Sequence, residues 1–346
     1  MRGDGIRLMN SKWILYVGIT SLLVLISILG GCNKATNENM AEVKYPVKPI
    51  TVIVPFAAGG GNDIIARTLE KTAIQHLGQP FVIVNKPGGA STIGMNEIAR
   101  AQPDGYTIGI IGMSAILQPL YGQTRYHYPS ALEPLVKVVS TPIIVMVLSN
   151  QPWKNLNELI EYAKQHPGEL KFGHSGLGTS RHITGELFAK EAGINIVQVP
   201  FKGESEALAA LLGGHIQLIF ADPAIKEHVA SGAVRVLGVA ESKRLSIPGL
   251  DNIPTFQEQG VNIALNFWTG IAAPKGIPYT EKTKLAAGLK EMVNDPEFKK
   301  SMADIGMSVE YLGPDEFSDQ WIADNRNFAN TVKETGIAEL ITSQKN

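Results

Sequence analysis

The chain has 346 residues, 44% hydrophobic and 18% charged, and its 31 basic against 32 acidic side chains leave a net charge of −1. That is an ordinary globular composition, long enough for two medium domains with proper cores, and it offers no electrostatic support for binding nucleic acid. The seven histidines are scattered, and no pair stands at metal-ligand spacing beside other ligands, so no metal site is expected.

In chain order, Arg2, Arg7 and Lys12 precede an apolar run from Trp13 to Leu29 that ends Leu29-Gly30-Gly31-Cys32. A basic start, an apolar core and small residues before a cut describe an export signal over residues 1–31. The run is short for a membrane span and stops at small residues instead of a charged anchor. Cys32 is the only cysteine, so no disulfide can form within the chain. Leu-Gly-Gly-Cys resembles a bacterial lipobox, which implies that Cys32 becomes the lipidated first residue of a membrane-held, extracytoplasmic protein. The alternative is an uncleaved anchor with an incidental cysteine. Residues 32–44 are polar without an apolar period and are expected to be a flexible tether.

From Tyr45 onward short apolar runs alternate with helical patterns. Strands are expected at Thr51–Phe56, Phe81–Asn85, Thr107–Ile111, Ile143–Leu148, Lys171–Ser175, Ile196–Phe201, Ile216–Ala221 and Val234–Ala240. Helices are expected at Ile64–Leu77, Thr92–Ala101, Asn155–Gln165, Arg181–Ala192 and Ser205–Leu212, and the tail from Thr280 is mostly helical. In the first helix Ile65, Leu69, Ala73 and Leu77 recur every fourth residue and share a face. Alternation on this scale predicts an α/β fold with parallel sheets and right-handed crossovers.

Two parts of the series are alike in architecture. TVIVPF-AAGGGND-IIARTLEKTAIQHL and KFGHS-GLGTS-RHITGELFAKEA each run strand, glycine-rich loop, helix. A helix start has backbone N–H groups without internal partners and a partial positive charge, and glycines before it let an anion approach. Such a loop holds a carboxylate or phosphate without lysine or arginine. Asn62, Asp63, Thr179 and Ser180 are capping residue types at the two helix starts. Each loop alone is as readily a tight turn. Two of them facing each other across a cleft would fit a small di- or tricarboxylate.

An enzyme reading competes. Ser175, Asp222 and His228 follow the order of a hydrolase triad, but Gly173-His174-Ser175-Gly176 is followed by Leu177, which breaks the nucleophile-elbow pattern. Asp222 and His228 also stand too close in sequence for separate loops. Neither glycine loop carries a full dinucleotide fingerprint.

YPVKPITVIVPFAAGGGND, GQPFVIVNKPGG, AQPDGYTIGI, VPFKGESEALAALLGGHIQLIF, SGAVRVLGVAESKR, IPTFQEQG and FWTGIAAPKGIP, in this order, resemble the solute-binding proteins of tripartite tricarboxylate transporters, the Bug family. The resemblance spans roughly Tyr45 to Asn346. It implies a two-lobed, type II periplasmic-binding-protein-like body (a Venus flytrap) with a ligand cleft between the lobes. Lobe one would comprise residues 45–149 plus 267–346, and lobe two residues 150–266, with Ile143–Leu148 and Phe267–Pro274 as crossings.

Carried onto this chain, the resemblance implies a first anion loop of Ala57, Ala58, Gly59, Gly60, Gly61, Asn62 and Asp63. The opposing loop is Ser175, Gly176, Gly178, Thr179, Ser180 and His182. Ser91 and Thr92 would lie near the cleft, with Phe201 and Lys202 as an aromatic–lysine pair and Asp222 on the hinge side. Two departures stand out: Gly-Gly-Ala-Ser follows Pro87 where Gly-Ala-Gly-Gly is commoner, and Gly61-Asn62 stands where proline or serine and then threonine are common. The implied function is a non-catalytic, monomeric receptor without a cofactor. It would deliver a small carboxylate to membrane permease subunits, and it would be lipid-anchored at Cys32. A secreted α/β hydrolase using Ser175, or a sensor of the same fold without a permease, are the alternatives.

Overall fold

The computed structural model describes residues 44–122, 124–223, 226–265 and 267–345. The expected signal peptide, Cys32 and nearly all of the expected tether lie outside them. From Tyr45 the chain forms one compact unit.

The first sheet holds β1 (Ile50–Val54), β2 (Phe81–Asn85), β3 (Thr107–Gly112), β4 (Leu132–Ser140), β10 (Trp268–Pro274) and β11 (Ser308–Leu312), in the order β11-β4-β10-β3-β1-β2. The second holds β5 (Ile144–Leu148), β6 (Lys171–His174), β7 (Val197–Pro200), β8 (Leu218–Ala221) and β9 (Val234–Val239), in the order β7-β6-β8-β5-β9. Helices α1 (Gly61–Leu77), α2 (Thr92–Arg100), α3 (Ser114–Leu120) and α4 (Tyr128–Ala131) follow the early strands. Helices α5 (Leu156–Gln165), α6 (Ser180–Ala192), α7 (Glu204–Leu212) and α8 (Lys226–Ala230) belong with the second sheet. The tail forms α9 (Tyr279–Asn294), α10 (Pro296–Asp304), α11 (Pro314–Thr335) and α12 (Ile337–Lys345). No helix among the described residues is long and apolar enough to cross a membrane.

Helix α1 forms because its apolar residues fall on one stripe: Ile65, Leu69, Ala73 and Leu77 are all buried against the first sheet's core. Gly78 ends it in the left-handed conformation, its N–H bonded to Ile74 O. Fully burying an isoleucine or leucine side chain stabilises by roughly 1.5–3 kcal/mol.

Three expectations are corrected. The sheets are mixed, not parallel throughout: β10 runs antiparallel to β3 and β4, and β5 antiparallel to β8 and β9. Second, Ile144–Leu148 pairs within the second sheet, so the first lobe's sheet ends at Ser140 and the boundary at 149/150 is too late. Third, β4, β10 and β11 are not among the expected strands; Phe267–Pro274, expected as a crossing, is mostly β10 of the first sheet. Pro134 and the buried Lys137 disguise β4; Lys137 donates to Gln320 (3.1 Å) and pairs with Glu310 (2.9 Å), so the buried group is not left without partners.

Two crossings join the sheets, and they run side by side. Thr141 N–H donates to Phe267 O (2.8 Å), Ala240 N–H to Ile143 O (2.8 Å) and Leu265 N–H to Ala240 O (2.8 Å). A few backbone bonds at one edge thus connect two bodies with separate sheets, the construction of a hinge.

Candidate functional site

The loop after β1 turns at Gly59 (φ +80°) and enters α1 at Gly61. Asp63 braces it from within. Its Oδ2 accepts from Gly59 N–H (2.9 Å) and Arg67 Nε (2.8 Å), and its Oδ1 accepts from Asn85 Nδ2 (2.8 Å). Burial works against its charge, but the hydrogen bonds from Arg67, Gly59 and Asn85 outweigh it and hold Asp63 below the usual carboxylate range. Asp63 is therefore a strut, turned away from the cleft. The first-turn N–H groups of Gly61 and Asn62 head a helix that supplies them no acceptor. Asn62 Oδ1 accepts from Thr269 Oγ1 (2.9 Å), which ties the loop to β10 beside the hinge.

The loop after β6 is built differently. Gly176 N–H donates to His174 Nδ1 (3.2 Å) and Gly178 N–H to His182 Nδ1 (2.9 Å). Thr179 N–H and Oγ1–H both donate to Gly176 O (3.2 and 2.8 Å). With each Nδ1 accepting, each histidine carries its proton on Nε2, directed at Gln198 Oε1 (2.8 Å) and Glu186 Oε1 (3.2 Å). The two rings stack at 4.3 Å. Burial, then His182, push the His174 pKa down to about 3. The histidine pair is the frame of this loop, and the loop's own glycine amides are already used. Gly176 (φ +122°) and Gly178 (φ +75°) are required here as the left-handed residues that shape it.

What the second lobe turns toward the cleft is a set of side chains. Arg181, one residue into α6, is buried and donates through Nη2 to Asp222 Oδ2 (2.7 Å) and through Nε to Glu204 Oε2 (3.2 Å). Its Nη1 reaches Ser180 Oγ (3.1 Å), and Asp222 N–H donates to Glu204 Oε1 (2.8 Å). Burial, and after it the Asp222 carboxylate, push Glu204 above the usual carboxylate range against the pull of Arg181. Ser175 Oγ is buried and has no hydrogen-bond partner among the described residues.

The lobes are closed on one another. A Cβ on Gly61 would lie 2.6 Å from Asp222 Oδ2, and one on Gly203 would lie 3.1 Å from Ala57 Cβ. From α3, Gln118 Nε2 donates to Leu177 O (3.0 Å) across the gap. At the centre a cavity of about 20 Å³ is lined by Ala57, Gly60, Gly61 and Asn62 on one side and Ser175, Arg181, Glu204 and Asp222 on the other. It shares Gly60, Gly61 and Glu204 with a flank of about 340 Å³ that also holds Gly59, Glu227 and His228. It shares Ser175 with a second flank of about 460 Å³, where Thr92, Gly176, Phe201 and Lys202 lie. On the hinge side Thr179 and Ser180 line a further gap with Asn62, Thr141 and Phe267.

Most of the expected residues thus meet at one cleft. Five do not line it. Ala58 is exposed, and Asp63 and His182 are struts. Gly178 packs under Gln118 and Tyr121. Ser91, held at φ +76° after Ala90 at φ +51°, turns its hydroxyl back to Ala90 O. Sequence reasoning missed Arg181, Glu204 and Gln118; the available signal was a charged residue in the first turn after each of two glycine-bearing loops. Among the described residues Ser175, Asp222 and His228 form no hydrogen-bonded triad: Asp222 is engaged by Arg181, and Ser175 Oγ makes no hydrogen bond. Among the described residues no cluster of histidine, cysteine, aspartate and glutamate could hold a metal ion.

Comparison with known proteins agrees with this architecture. Residues 65–336 match the family model described as the tripartite tricarboxylate transporter family receptor. The chain is 32% identical to the protein BugT of Bordetella pertussis, over 92% of this chain and 99% of that one. The solved periplasmic binding protein BugD superposes with a TM-score of 0.80 at 31% identity, covering 84% of this chain and 99% of that one. An R. palustris protein solved with adipate does so with a TM-score of 0.80 at 29% identity, covering 84% and 98%. The two lobes, the paired crossings and the cleft between them are those of a periplasmic binding protein, and the chain belongs to the tripartite tricarboxylate transporter receptor family.

Proposed function

We propose that the protein is an extracytoplasmic receptor that captures a small carboxylate between its lobes and presents it, by closing, to the membrane permease subunits of a tripartite tricarboxylate transporter. One observation carries the reading: two strand–loop–helix units, one from each lobe, converge on a single central cavity. The first lobe brings the first-turn amides of α1, a helix start with no side-chain cap, and the second brings Ser175 and Arg181. The adipate held by the R. palustris relative supports a carboxylate as the ligand class. Closure follows if the ligand binds the closed form more tightly than the open one, since only differential affinity moves such an equilibrium.

The test is a thermal-melt screen of refolded, ligand-free protein against mono-, di- and tricarboxylates. A ligand at about a hundred times its dissociation constant adds roughly 2.7 kcal/mol, a shift of several degrees. No shift with any carboxylate would remove the ligand class. The membrane attachment is proposed to run through lipid on Cys32, so Cys32→Ser should release the protein from membranes. Persistent association would mean an uncleaved anchor.

A further inference from the structure

The tail touches both lobes. Helix α11 is 22 residues long, about 33 Å at 1.5 Å per residue. Its first half belongs to lobe one. Phe317 and Trp321 pack their rings on Trp268 of β10 at 4.8 and 5.7 Å, and Asp324 Oδ2 accepts from Trp268 Nε1 (2.8 Å). Farther along, Phe328 stacks on Phe267, at the crossing, with the rings 5.8 Å apart. The last turn reaches lobe two, where Lys190 Nζ near the end of α6 donates to Thr335 O (2.5 Å). Gly336 then ends the helix in the left-handed conformation (φ +65°), and α12 sets off with Ile337 buried.

The two ends of this element are held differently. The lobe-one end is locked by interleaved aromatic rings and a hydrogen bond among them. At the lobe-two end Lys190 is exposed, and Leu187, Ile194 and Ile196 face Ile337 and Leu340 across a groove of about 310 Å³. Leu340 stays 42% exposed. Apolar area left facing water in this way adds none of the burial that would tie the two sides together. Lys190 meets the negative end of α11, an attraction that is modest at a surface. When the lobes move, α11 therefore stays with lobe one, and its contact with lobe two is the one that breaks.

We propose that the segment from Thr335 to Ile341 is a latch, docked on α6 in the closed form and released in the open one. Latch docking and ligand capture then favour each other, although Lys190 and the cavity residue Arg181 stand about 14 Å apart along α6. The inference goes beyond the receptor reading: it needs the lobes to move, but it needs no particular ligand. Linkage makes the effect reciprocal, so the factor that the latch adds to ligand affinity is the factor that the ligand adds to latch docking.

The experiment reads lobe separation in refolded, ligand-free protein. In a Cys32→Ser background, Lys300→Cys on lobe one and Glu161→Cys on lobe two, both exposed positions, carry spin labels whose separation is measured by pulsed electron resonance. Lys190→Ala removes the hydrogen bond, Leu340→Asp places a charge in the groove, and truncation after Thr335 removes the latch. The expected result is that truncation raises the ratio of open to closed protein by about fivefold or more, the lower end of the usual coupling between sites. The two side-chain variants should shift the ratio the same way, with melting temperatures that barely move. A shift in neither side-chain variant would overturn the latch, whether or not the truncated chain folds. A shift seen only where the melt also collapses would overturn it too, because a merely structural tail gives that result. A blank carboxylate screen would remove the ligand class and leave this test as it stands.

Discussion

Gly61→Ala isolates closure from folding. Gly61 is the first residue of α1 and does not need a left-handed backbone, so alanine is acceptable to the helix and is the better helix former. Its Cβ, however, would lie 2.6 Å from Asp222 Oδ2 and 2.7 Å from Met307 Cε. The methionine tip can swing aside. Asp222 cannot, being held at 2.7 Å by Arg181 of its own lobe. Ordinary contact begins near 3.4 Å, so the lobes must part by about 0.8 Å at this point or strain a buried ion pair. Overpacking of this kind costs about 1–3 kcal/mol, here levied on the closed form alone. At 1.4 kcal/mol per tenfold, ligand affinity should fall by about 5- to 150-fold while the ligand-free melting temperature barely moves. Gly60→Ala is the control, since its Cβ would meet nothing nearer than Ala57 O at 3.6 Å. That variant should lose up to about 1 kcal/mol of stability through a poorer helix cap, with a smaller loss of affinity. Calorimetry with the acid that gives the largest melt shift, beside melts of both variants, reads all of this. Unchanged affinity in Gly61→Ala, or equal losses in the two variants, would refute the reasoning.

Other outcomes follow from the same geometry. Burial and Glu310 raise the Glu241 pKa from 4.5 to about 7 beside the hinge, against the pull of Lys137. Its folded pKa lies above its unfolded one, so its contribution is present below pH 4.5 and lost as pH rises through 7; denaturant titrations should show up to about 3 kcal/mol lost there, and Glu241→Gln should lose less. His174 has the opposite sign. Its contribution is present above pH 6.5 and lost as pH falls toward about 3, with an upper bound of roughly 5 kcal/mol, so acid melts should show weakening that His174→Gln reduces. Ser180→Ala removes a hydroxyl that Arg181 Nη1 contacts at 3.1 Å, and it should weaken ligand binding while stability changes by no more than about 1–2 kcal/mol. Unchanged affinity would take Ser180 out of the site.

The two strand–loop–helix units were legible because β1 and β6 both lead into glycine-bearing loops before a helix, and because α1 carries a clean apolar stripe. Strand β4 was not, since Lys137 at its centre is tolerated only through Gln320, which is 183 positions away. The same separation hides the site's charges. Arg181 looks like an ordinary surface residue of a helix start until Glu204 and Asp222, 23 and 41 positions on, close around it. The role of the second glycine loop was only half visible as well. Its glycines are needed for its shape, but its amides serve His174 and His182 instead of a ligand. Periodicity and turn chemistry are local and can be read along the chain. The satisfaction of buried charges is settled by partners that folding brings together.

A crystal structure with the best-binding acid would test the central claim most directly. The account predicts ligand density between the Gly60–Asn62 turn and the Ser175–Arg181 face, with one carboxylate within hydrogen-bonding distance of the α1 amides. Density confined to an outer flank, or a cleft closed and empty in a protein that binds the acid in solution, would contradict it.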